Sequence, residues 1–454
     1  MLRKALYLLQ ALNRLSWDAD RIRRYQNIQL QKMVMHAYSQ CSLYRKKFEE
    51  HGLNPRSVKT VDDLKRIPFT LRNDIALDSF RTEAVDDAIK QASLAIRRDA
   101  AVKSYTAEMV AANYRKRHYT WKNTSGSSGL FVSIAVDKKA EDFYDAIYAR
   151  SLLHAGYRPW QRILYFTWES NIKKKIYETL GFFRKEHIHI SETANNQHKI
   201  LEDSKFDWII GFPSAFRFLD KASMQKKRIQ AKGIVCHGEI LSEFQRNHIQ
   251  ELFGCAVFDA YAASECNRIA SECAERNGLH VAMDNVIIEV IDSGGNYCRP
   301  GEDGEIVLTT LQNYTMPLIR YKIGDFATMG DAHCKCGCRF VKLDKIQGRC
   351  NDFFYLPSGR IINPLELITV IEYCGAYDVY NYRLVQQTHS TATLYAVDYP
   401  AFDRSIVDEL KSKLTKYMNN EICVSAQIVK DLPANLIGKR RVIISKVKDR
   451  SIND

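Results

Sequence analysis

Apolar residues along this chain alternate between helical spacing and short continuous runs. Residues 21–44 carry apolar positions at helical spacing, and residues 61–68 predict a short helix that stops before proline, so the first 120 or so residues are mainly helical. Beyond them, apolar runs at 163–166, 208–211, 233–236 and 256–258 predict buried strands, and residues 140–155 and 172–183 predict helices. This alternation predicts an α/β fold, with mostly parallel sheets covered by helices.

The last hundred residues have a different pattern. Helical spacing at 364–373 and 406–418 flanks strand patterns at 380–386 and 392–397. We therefore predict a smaller α+β domain at this end of the chain.

Composition places the chain among ordinary soluble proteins. It has 454 residues, of which 46% are hydrophobic and 26% charged, enough for a large core. No apolar run has the length of a membrane span, and no signal peptide is evident. Residues 1–17 predict an amphipathic helix, for which docking on the chain's own core is favoured over a membrane surface. Its apolar face would comprise Leu2, Leu8, Leu9, Leu12 and Leu15.

The charge pattern argues against nucleic-acid binding. The formal net charge is +13, but the basic clusters at 173–175 and 226–228 are short and lack interleaved aromatic residues. They favour solvated faces with general affinity for anions. Twelve cysteines without a secretion signal predict a reducing, cytoplasmic environment.

A loop rich in glycine and hydroxyl side chains is the first candidate site. It comprises Thr124, Ser125, Gly126, Ser127, Ser128 and Gly129, and an apolar alternation over 130–136 follows it as a strand would. Glycine permits close approach of the backbone to a phosphate, and hydroxyls and amides donate to its oxygens. The common phosphate loop is excluded because no Gly-Lys-Ser/Thr follows.

This loop resembles the phosphate-binding signature of the adenylate-forming superfamily, which includes acyl-CoA synthetases, peptide-synthetase adenylation domains and luciferases. Within it, the chain is most similar to the phenylacetate–CoA ligase branch and its capsule-biosynthesis relatives. Leu130-Phe131 stands where that branch often has Lys-Pro, so one expected phosphate contact is absent.

Further motifs follow in the family's order. Phe212-Pro213-Ser214 resembles a Tyr-Pro-Ser turn, and Gly238-Glu239 resembles an element beside the nucleotide base. Residues 259–265 resemble the Tyr-Gly-x-Thr-Glu motif, with Ala262 in place of glycine. The resemblance implies that Tyr261 stacks on adenine, that Ser264 meets the α-phosphate and that Glu265 holds Mg²⁺. Since ligands bind at the carboxyl ends of parallel strands, these turns should converge.

Three motifs define the end of the large domain and the small one. Residues 318–325 resemble the family's Gly-Asp motif, in which the carboxylate of Asp325 would accept both ribose hydroxyls. Residues 346–353 resemble the hinge between two domains, with Arg349 at a ribose or phosphate oxygen. Lys439 matches the lysine that contacts the reacting oxygens. The resemblance implies an N-terminal adenylation domain over residues 1–348 and a mobile lid over residues 349–454.

Cysteines cluster at 334–338, downstream of Cys273 and His280. Structural zinc takes four Cys or His ligands, commonly as two close pairs. Some relatives in the branch carry a zinc site of three cysteines and one histidine, which matches Cys273, His280, Cys334 and Cys336. Free thiols in a reduced protein are the alternative.

The resemblance implies ATP-dependent adenylation of a carboxylic acid, with Mg²⁺ as a cofactor and release of pyrophosphate. CoA would then take the acyl group as a thioester. An amine, a hydroxyl or a carrier-protein thiol is the alternative acceptor, and a degenerate nucleotide-binding scaffold is the non-enzymatic alternative. A homo-oligomer is compatible with each of these. The identity of the acid is not readable from the sequence.

Overall fold

The computed structural model describes residues 2–76, 119–123, 132–167, 172, 174–189, 194–216, 219, 224, 229–374, 382–398, 405–430, 432 and 441–447. The chain divides into two compact units. Unit 1 comprises residues 1–156, 261–323 and 328–345, and unit 2 comprises residues 157–260, 324–327 and 346–454. Both units are built from discontinuous stretches of chain. The domain boundary at residue 348 stays a prediction.

The elements alternate as an α/β chain does. The helices are α1 Leu2–Arg14, α2 Ala19–Gln40, α3 Ser42–Glu50, α4 Arg72–Ala76, α5 Lys138–His154, α6 Ile176–Thr179, α7 Ala194–Asp203, α8 Glu243–Phe253, α9 Pro364–Glu372 and α10 Ser405–Tyr417. The strands are β1 Thr120–Asn123, β2 Ser133–Val136, β3 Ile163–Thr167, β4 Lys185–His189, β5 Trp208–Gly211, β6 Gly233–His237, β7 Ala256–Ala263, β8 Asn267–Glu272, β9 Leu279–Val281, β10 Val286–Ile291, β11 Asp303–Thr310, β12 Tyr321–Met329, β13 Lys342–Arg349, β14 Phe354–Tyr355, β15 Ile361–Ile362, β16 Tyr382–Thr388, β17 Thr391–Val397, β18 Cys423–Val429 and β19 Ile443–Ser445.

The N-terminal helices of unit 1 pack on its own core. The ring of Tyr7 in α1 contacts that of Phe143 in α5, with the centroids 5.3 Å apart. Ala11 and Arg14 are buried, whereas Leu2 and Leu9 of the predicted apolar face are 86% and 66% exposed. The helix therefore docks as predicted, but only part of the predicted leucine face takes part, because Leu8, Leu12 and Leu15 are half-buried and Leu2 and Leu9 are exposed.

Strands of unit 1 pair mainly antiparallel. The order β10-β11-β12-β13-β9-β8 includes antiparallel pairing of β10 with β11 and of β9 with both β8 and β13. Gly278 lies directly before β9 and Gly330 directly after β12, where turns join the strands. The predicted parallel sheet does not extend to these strands.

Unit 2 contains the parallel sheet that the apolar runs predict, in the order β7-β6-β5-β3-β4. One face of this sheet is a hydrophobic core that includes Phe166, Ile209, Ile234 and Val257. The opposite face carries Tyr165 and His187, which are register partners. That face also packs, since its Trp208, Ile210 and Val235 are buried, so the polar groups of Tyr165 and His187 lie among apolar side chains.

The C-terminal part of unit 2 has its own core. The sheet order is β18-β17-β16-β19, with an antiparallel β16–β17 hairpin and two parallel outer pairings. Leu367, Leu384, Leu394 and Leu410 are among its fully buried residues. The predicted α+β composition of this region is confirmed, and with the α/β sheet of unit 2 it confirms the predicted fold class.

Two predicted helices differ in the structure. The helical pattern over 21–44 is interrupted at Cys41, where φ of −121° and ψ of 118° separate α2 from α3. The predicted helix at 172–183 was wrong in extent, because only Ile176–Thr179 is helical. Gly181 then adopts a positive φ of 93°, which ends the helical path. Among the described residues, no helix is both long and apolar enough to cross a membrane.

Candidate active site and metal centre

The turns after β5 and β6 of unit 2 meet, as predicted. Gly238 takes a positive φ of 81° directly after β6, which glycine adopts without steric cost. The next residue, Glu239, then accepts hydrogen bonds from the backbone amide and the hydroxyl of Ser214, at 3.1 and 2.9 Å. The Phe212-Pro213-Ser214 turn and the Gly238-Glu239 element are therefore fixed to each other at the carboxyl ends of their strands.

Aromatic and imidazole rings gather at the same end of the sheet. The hydroxyl of Tyr165 lies 3.3 Å from Nε2 of His237, and the ring of Phe212 lies 5.1 Å from the ring of His237. His187 adds a third ring, 5.6 Å from that of Tyr165. Burial, followed by the nearby Lys185, lowers the pKa of His187. The neutral imidazole is therefore favoured, and it can both donate and accept hydrogen bonds.

Two predicted nucleotide-site residues of unit 2 form an ion pair. Nε of Arg349, at the end of β13, lies 3.3 Å from Oδ1 of Asp325 on β12. Asp325 is buried and Arg349 is half-buried. A guanidinium beside a carboxylate orients its lone pairs, and both groups remain partly accessible to a polar ligand.

The hinge sequence holds a second ion pair, which sequence reasoning missed. Arg441 donates to both carboxylate oxygens of the buried Asp352. Burial raises the pKa of Asp352, and the charges of Arg441 and Arg349 oppose that shift. Arg441 lies two residues after Lys439, so its contact with Asp352 joins the chain just beyond that lysine to the predicted hinge.

Lys439 itself lies outside the described residues, as do Thr124, Ser125, Gly126, Ser127, Ser128 and Gly129 of the glycine-rich loop.

In unit 1 the predicted magnesium residue lies in a buried turn. Tyr261 is on β7, Ser264 and Glu265 follow the strand, and Glu265 is buried. Asn267 continues the turn with a positive φ of 62°, a conformation that asparagine tolerates better than most residues. Burial and the Glu265 carboxylate raise the pKa of the Cys266 thiol. A carboxylate oxygen is the kind of ligand that Mg²⁺ takes, so the assignment of Glu265 to magnesium stays a prediction.

The four predicted zinc ligands form a cluster in unit 1. Cys273 follows β8, His280 lies on β9, and Cys334 and Cys336 lie in the turn before β13. Their ligand atoms are all within 4.8 Å of one another. Sγ of Cys273 lies 3.6 Å from Sγ of Cys334, and Sγ of Cys336 lies 3.4 Å from Nε2 of His280. Cys338 is not a member of this cluster.

These distances fit a tetrahedral metal. Zinc with bonds of about 2.3 Å to sulfur and 2.0 Å to nitrogen requires sulfur–sulfur and sulfur–nitrogen separations of roughly 3.8 and 3.5 Å. Burial lowers the pKa of His280 to about 4, so its ring is neutral, the form that binds metals. Against the effect of burial, hydrogen bonds from Cys336 and Cys273, and last the charge of Lys342, which sequence reasoning missed, lower the pKa of Cys334. Burial raises the pKa of Cys273 and of Cys336, so among the three thiols only that of Cys334 is shifted toward the thiolate.

Comparison with solved structures identifies the fold. The chain superposes on 2-hydroxyisobutyryl-CoA ligase in its postadenylation state with a TM-score of 0.69 and 17% sequence identity, covering 96% of this chain and 91% of that one. A second structure, the anthranilate CoA ligase AuaEII, gives a TM-score of 0.52 at 15% identity over 70% of this chain and 65% of that one. The chain therefore has the fold that is seen in one class of protein, the acyl-CoA ligases.

Sequence comparison agrees with this class. The chain is 25% identical over 367 residues to the phenylacetate–CoA ligase of Thermus thermophilus, covering 78% of this chain and 75% of that one. It is 27% identical over 214 residues to protein CapK of Staphylococcus aureus, covering 47% and 46%. No protein-family model matches the chain. The chain is therefore similar in sequence to phenylacetate–CoA ligases and in fold to acyl-CoA ligases, which is the resemblance that the sequence motifs predict.

Proposed function

We propose that this protein activates a carboxylic acid with ATP. The acid's carboxylate oxygen attacks the α-phosphorus and forms the acyl-phosphate bond. The bond from the α-phosphorus to the β-phosphate oxygen breaks, and pyrophosphate leaves. The observation that carries this proposal is the Asp325–Arg349 pair. Both residues match motifs of the family, and their side chains are in contact in a chain that is similar to CoA ligases.

The described residues have specific roles in this proposal. Asp325 accepts the two ribose hydroxyls, because an ionised carboxylate has about four acceptor sites and no donor. Arg349 holds that carboxylate in place and contacts a ribose or phosphate oxygen. Gly238 and Glu239 lie beside the base, Tyr261 stacks on adenine and Ser264 binds the α-phosphate. Glu265 binds Mg²⁺, which neutralises phosphate charge when bound.

The remaining roles belong to residues outside the described part of the chain. The loop from Thr124 to Gly129 cradles phosphates through hydroxyls and amides. Lys439 stabilises the negative charge that gathers on the transferring oxygens; removal of one such contact typically costs about 10²–10³ in rate. We therefore expect Lys439→Ala to lower adenylation by that factor, with binding of ATP retained.

CoA is the proposed acyl acceptor. Its thiol sulfur attacks the acyl carbonyl, the bond to the AMP phosphate oxygen breaks, and the thiol proton passes to solvent. The relatives in support are named as CoA ligases. Twelve cysteines, none of them paired in a disulfide, fit the cytoplasmic location that we propose for the enzyme. An amine, a hydroxyl or a carrier-protein thiol is the alternative acceptor.

ATP–pyrophosphate exchange across a panel of carboxylic acids tests the first half of the reaction. Exchange that depends on one class of acid supports adenylation, and its absence with every acid, together with retained ATP binding, favours a scaffold. Swapping CoA for hydroxylamine or a carrier protein then tests the second half. Formation of an acyl-CoA thioester would identify CoA as the acceptor. A product that forms only with an amine or a carrier protein would overturn the choice of acceptor and leave the adenylation step standing.

The rings at the end of β3 and β6 are the proposed acid-facing group. Tyr165 and His237 can donate to a polar substituent, so Tyr165→Phe should alter the ranking of acids and leave the KM for ATP unchanged. An unchanged ranking would exclude Tyr165 from the acid pocket.

We also propose that Cys273, His280, Cys334 and Cys336 hold a structural zinc ion. All four positions are filled by protein ligands, which leaves no coordination site for catalysis. Metal analysis of protein purified without chelator should give about one equivalent. Less than half an equivalent would favour free thiols instead.

A further inference from the structure

Large apolar side chains protrude from unit 2 at the amino ends of β3 and β4. Trp160, Ile176, Leu180 and Phe182 are 62%, 70%, 60% and 49% exposed. Ile176 and Leu180 are four residues apart, and the amide of Leu180 donates to the carbonyl of Ile176, so they lie on one side of this helical turn. Single exposed apolar residues are ordinary, but a cluster of large ones marks an interaction surface.

Hydrogen bonds fix the two segments that carry these residues. The amide of Phe183 donates to the carbonyl of Pro159 at 2.6 Å, and Nη2 of Arg184 donates to the carbonyl of Trp160 at 3.0 Å. The rings of Tyr157 and Phe183 lie 5.5 Å apart beneath them. Trp160, Ile176, Leu180 and Phe182 therefore belong to one surface, which we name the α6 patch.

Basic side chains surround the α6 patch. Arg158, Lys174 and Lys175 are exposed, and Arg184 is half-buried. Among the described residues, two carboxylates lie nearby: Glu178 accepts from the amide of Lys175 at 3.3 Å, and Glu186 accepts from Ser204 at 3.0 Å. Both keep their negative charge, but the four basic side chains outnumber them. The patch is thus apolar and aromatic with a cationic border.

We propose that the α6 patch docks reversibly on an anionic lipid bilayer. Tryptophan and phenylalanine favour the boundary between headgroups and acyl chains, and lysine and arginine extend to the headgroup phosphates. Each basic residue near an anionic membrane surface contributes about 1 kcal/mol, which is roughly a fivefold change in affinity. The ligand is therefore a membrane surface rich in acidic phospholipid.

Shape and charge favour a bilayer over a protein partner. The side chains of the α6 patch protrude, whereas peptide-binding sites are grooves. A second copy of this chain would place the same cationic border against itself, and such like-charge contacts oppose association. The net charge of +13 adds to that repulsion.

Helix α1 supplies a matched control. Leu6 and Leu9 are 52% and 66% exposed, which is comparable to the α6 patch. However, the neighbouring Arg3 and Lys4 form ion pairs with Asp142 and Asp145. Their charge is compensated within the protein, so α1 has apolar exposure without a comparable cationic border.

Co-sedimentation of the full-length protein with vesicles tests the proposal. We expect binding to phosphatidylcholine vesicles that contain phosphatidylserine, and much weaker binding to phosphatidylcholine alone. Ile176→Ser/Phe182→Ser should weaken binding at least tenfold, since burying each side chain fully is worth about 1.5–3 kcal/mol. Leu6→Ser/Leu9→Ser should bind as the wild-type protein does. Circular dichroism checks that each variant is folded.

A second variant, Lys174→Gln/Lys175→Gln, should fold normally because both side chains are exposed. It therefore tests membrane binding independently of folding. It should weaken binding roughly 25-fold and reduce its salt dependence. The proposal is overturned if the wild-type protein ignores phosphatidylserine, if both α6-patch variants bind normally, or if only the α1 variant loses binding. Concentration-dependent self-association that Ile176→Ser/Phe182→Ser abolishes would instead assign the patch to a second copy. None of these outcomes depends on adenylation activity.

Discussion

At the scale of single residues, the Asp325–Arg349 pair is the central contact of the candidate active site. Their 3.3 Å separation joins β12 to the end of β13, where the sequence motifs of ribose binding and hinge are found. A carboxylate held by a guanidinium is pre-oriented for a second ligand, so less ordering remains when ATP binds.

Asp325→Ala should raise the KM for ATP in the exchange assay by roughly ten- to a hundredfold. Hydrogen bonds to a charged group contribute about 1.5–3 kcal/mol, and the variant removes those to the ribose. Asp408→Ala, at an exposed position on α10, is the control and should leave the KM unchanged. An Asp325→Ala enzyme with normal KM for ATP would remove Asp325 from the nucleotide site.

Gly348, immediately before Arg349, occupies a position that no other residue fits. Its φ is 121°, and a Cβ there would lie 2.7 Å from Cγ of Pro364. Gly359 is a matched control, because its φ is 88° but nothing lies within 4 Å of its Cβ position. A side chain at either position would be strained by the positive φ. Only at position 348 would it also overlap with a neighbouring residue.

Gly348→Ala should destabilise the protein more than Gly359→Ala. The strained conformation costs roughly 1–3 kcal/mol at either position. Overlap with Pro364 should add about 1–3 kcal/mol at position 348 alone. Urea denaturation of both variants measures the difference. Equal midpoints would mean that Pro364 shifts without cost.

At the scale of elements, α9 is attached to α8 through a buried carboxylate. Glu372 accepts hydrogen bonds from Ser242, the N-cap residue of α8, and from Nε2 of Gln245, the latter at 2.7 Å. The rings of Phe244 and Tyr373 lie 5.9 Å apart beside them. Helix α9 therefore depends on polar contacts as well as on its apolar face.

Glu372→Ala should lower the free energy of unfolding by about 1–3 kcal/mol, because it leaves the buried hydroxyl of Ser242 and the half-buried amide of Gln245 without their acceptor. A double-mutant cycle with Ser242→Ala isolates the pair. Glu409→Ala, on the exposed side of α10, is the surface control and should change stability by less than about 0.5 kcal/mol. A coupling energy near zero would show that α9 is held by packing alone.

The cysteine–histidine cluster joins β8, β9 and the turn before β13 within unit 1. Cys334→Ser should reduce bound zinc and lower the melting temperature, since metal-binding free energy contributes to folding. Cys298→Ser changes a thiol outside the cluster and should alter neither. If the melting temperature of Cys334→Ser fell with zinc content unchanged, the cluster would stabilise the protein through side-chain packing rather than through zinc coordination.

At the scale of the whole molecule, the C-terminal core draws on its own segment. The buried residues of that core lie between Phe354 and Ile443, and among the described residues only Ile240 joins it from outside residues 346–454. A fragment of residues 349–454 should therefore unfold cooperatively on its own, as followed by circular dichroism in urea. Gradual loss of signal without a transition would show that the predicted lid requires the rest of unit 2.

Much of this organisation was predictable from the sequence, because buried parallel strands are continuous apolar runs. Trp208–Gly211 is such a run and is a strand. The antiparallel pairings of β10 with β11 and of β9 with β13 in unit 1 join residues that are far apart in the chain, and a local apolar pattern does not reveal which strands pair. The pattern over 172–183 predicted a longer helix than the structure has, and its apolar residues Ile172, Ile176 and Leu180 are exposed.

The candidate site was predictable only where motifs exist. The resemblance identified Asp325, Arg349 and the four cluster residues, and the structure brings each of these sets together. The Asp352–Arg441 pair had no motif, since its partners are 89 positions apart and ion pairing leaves no local pattern. Pairings of this kind follow from tertiary structure alone.

The space that Gly348 leaves for Pro364 has a consequence for evolution. Because the ring of one residue fills the place of the other's missing Cβ, neither position can drift alone. Homologues that gain a side chain at the first position should carry a smaller residue at the second, so the two alignment columns should covary.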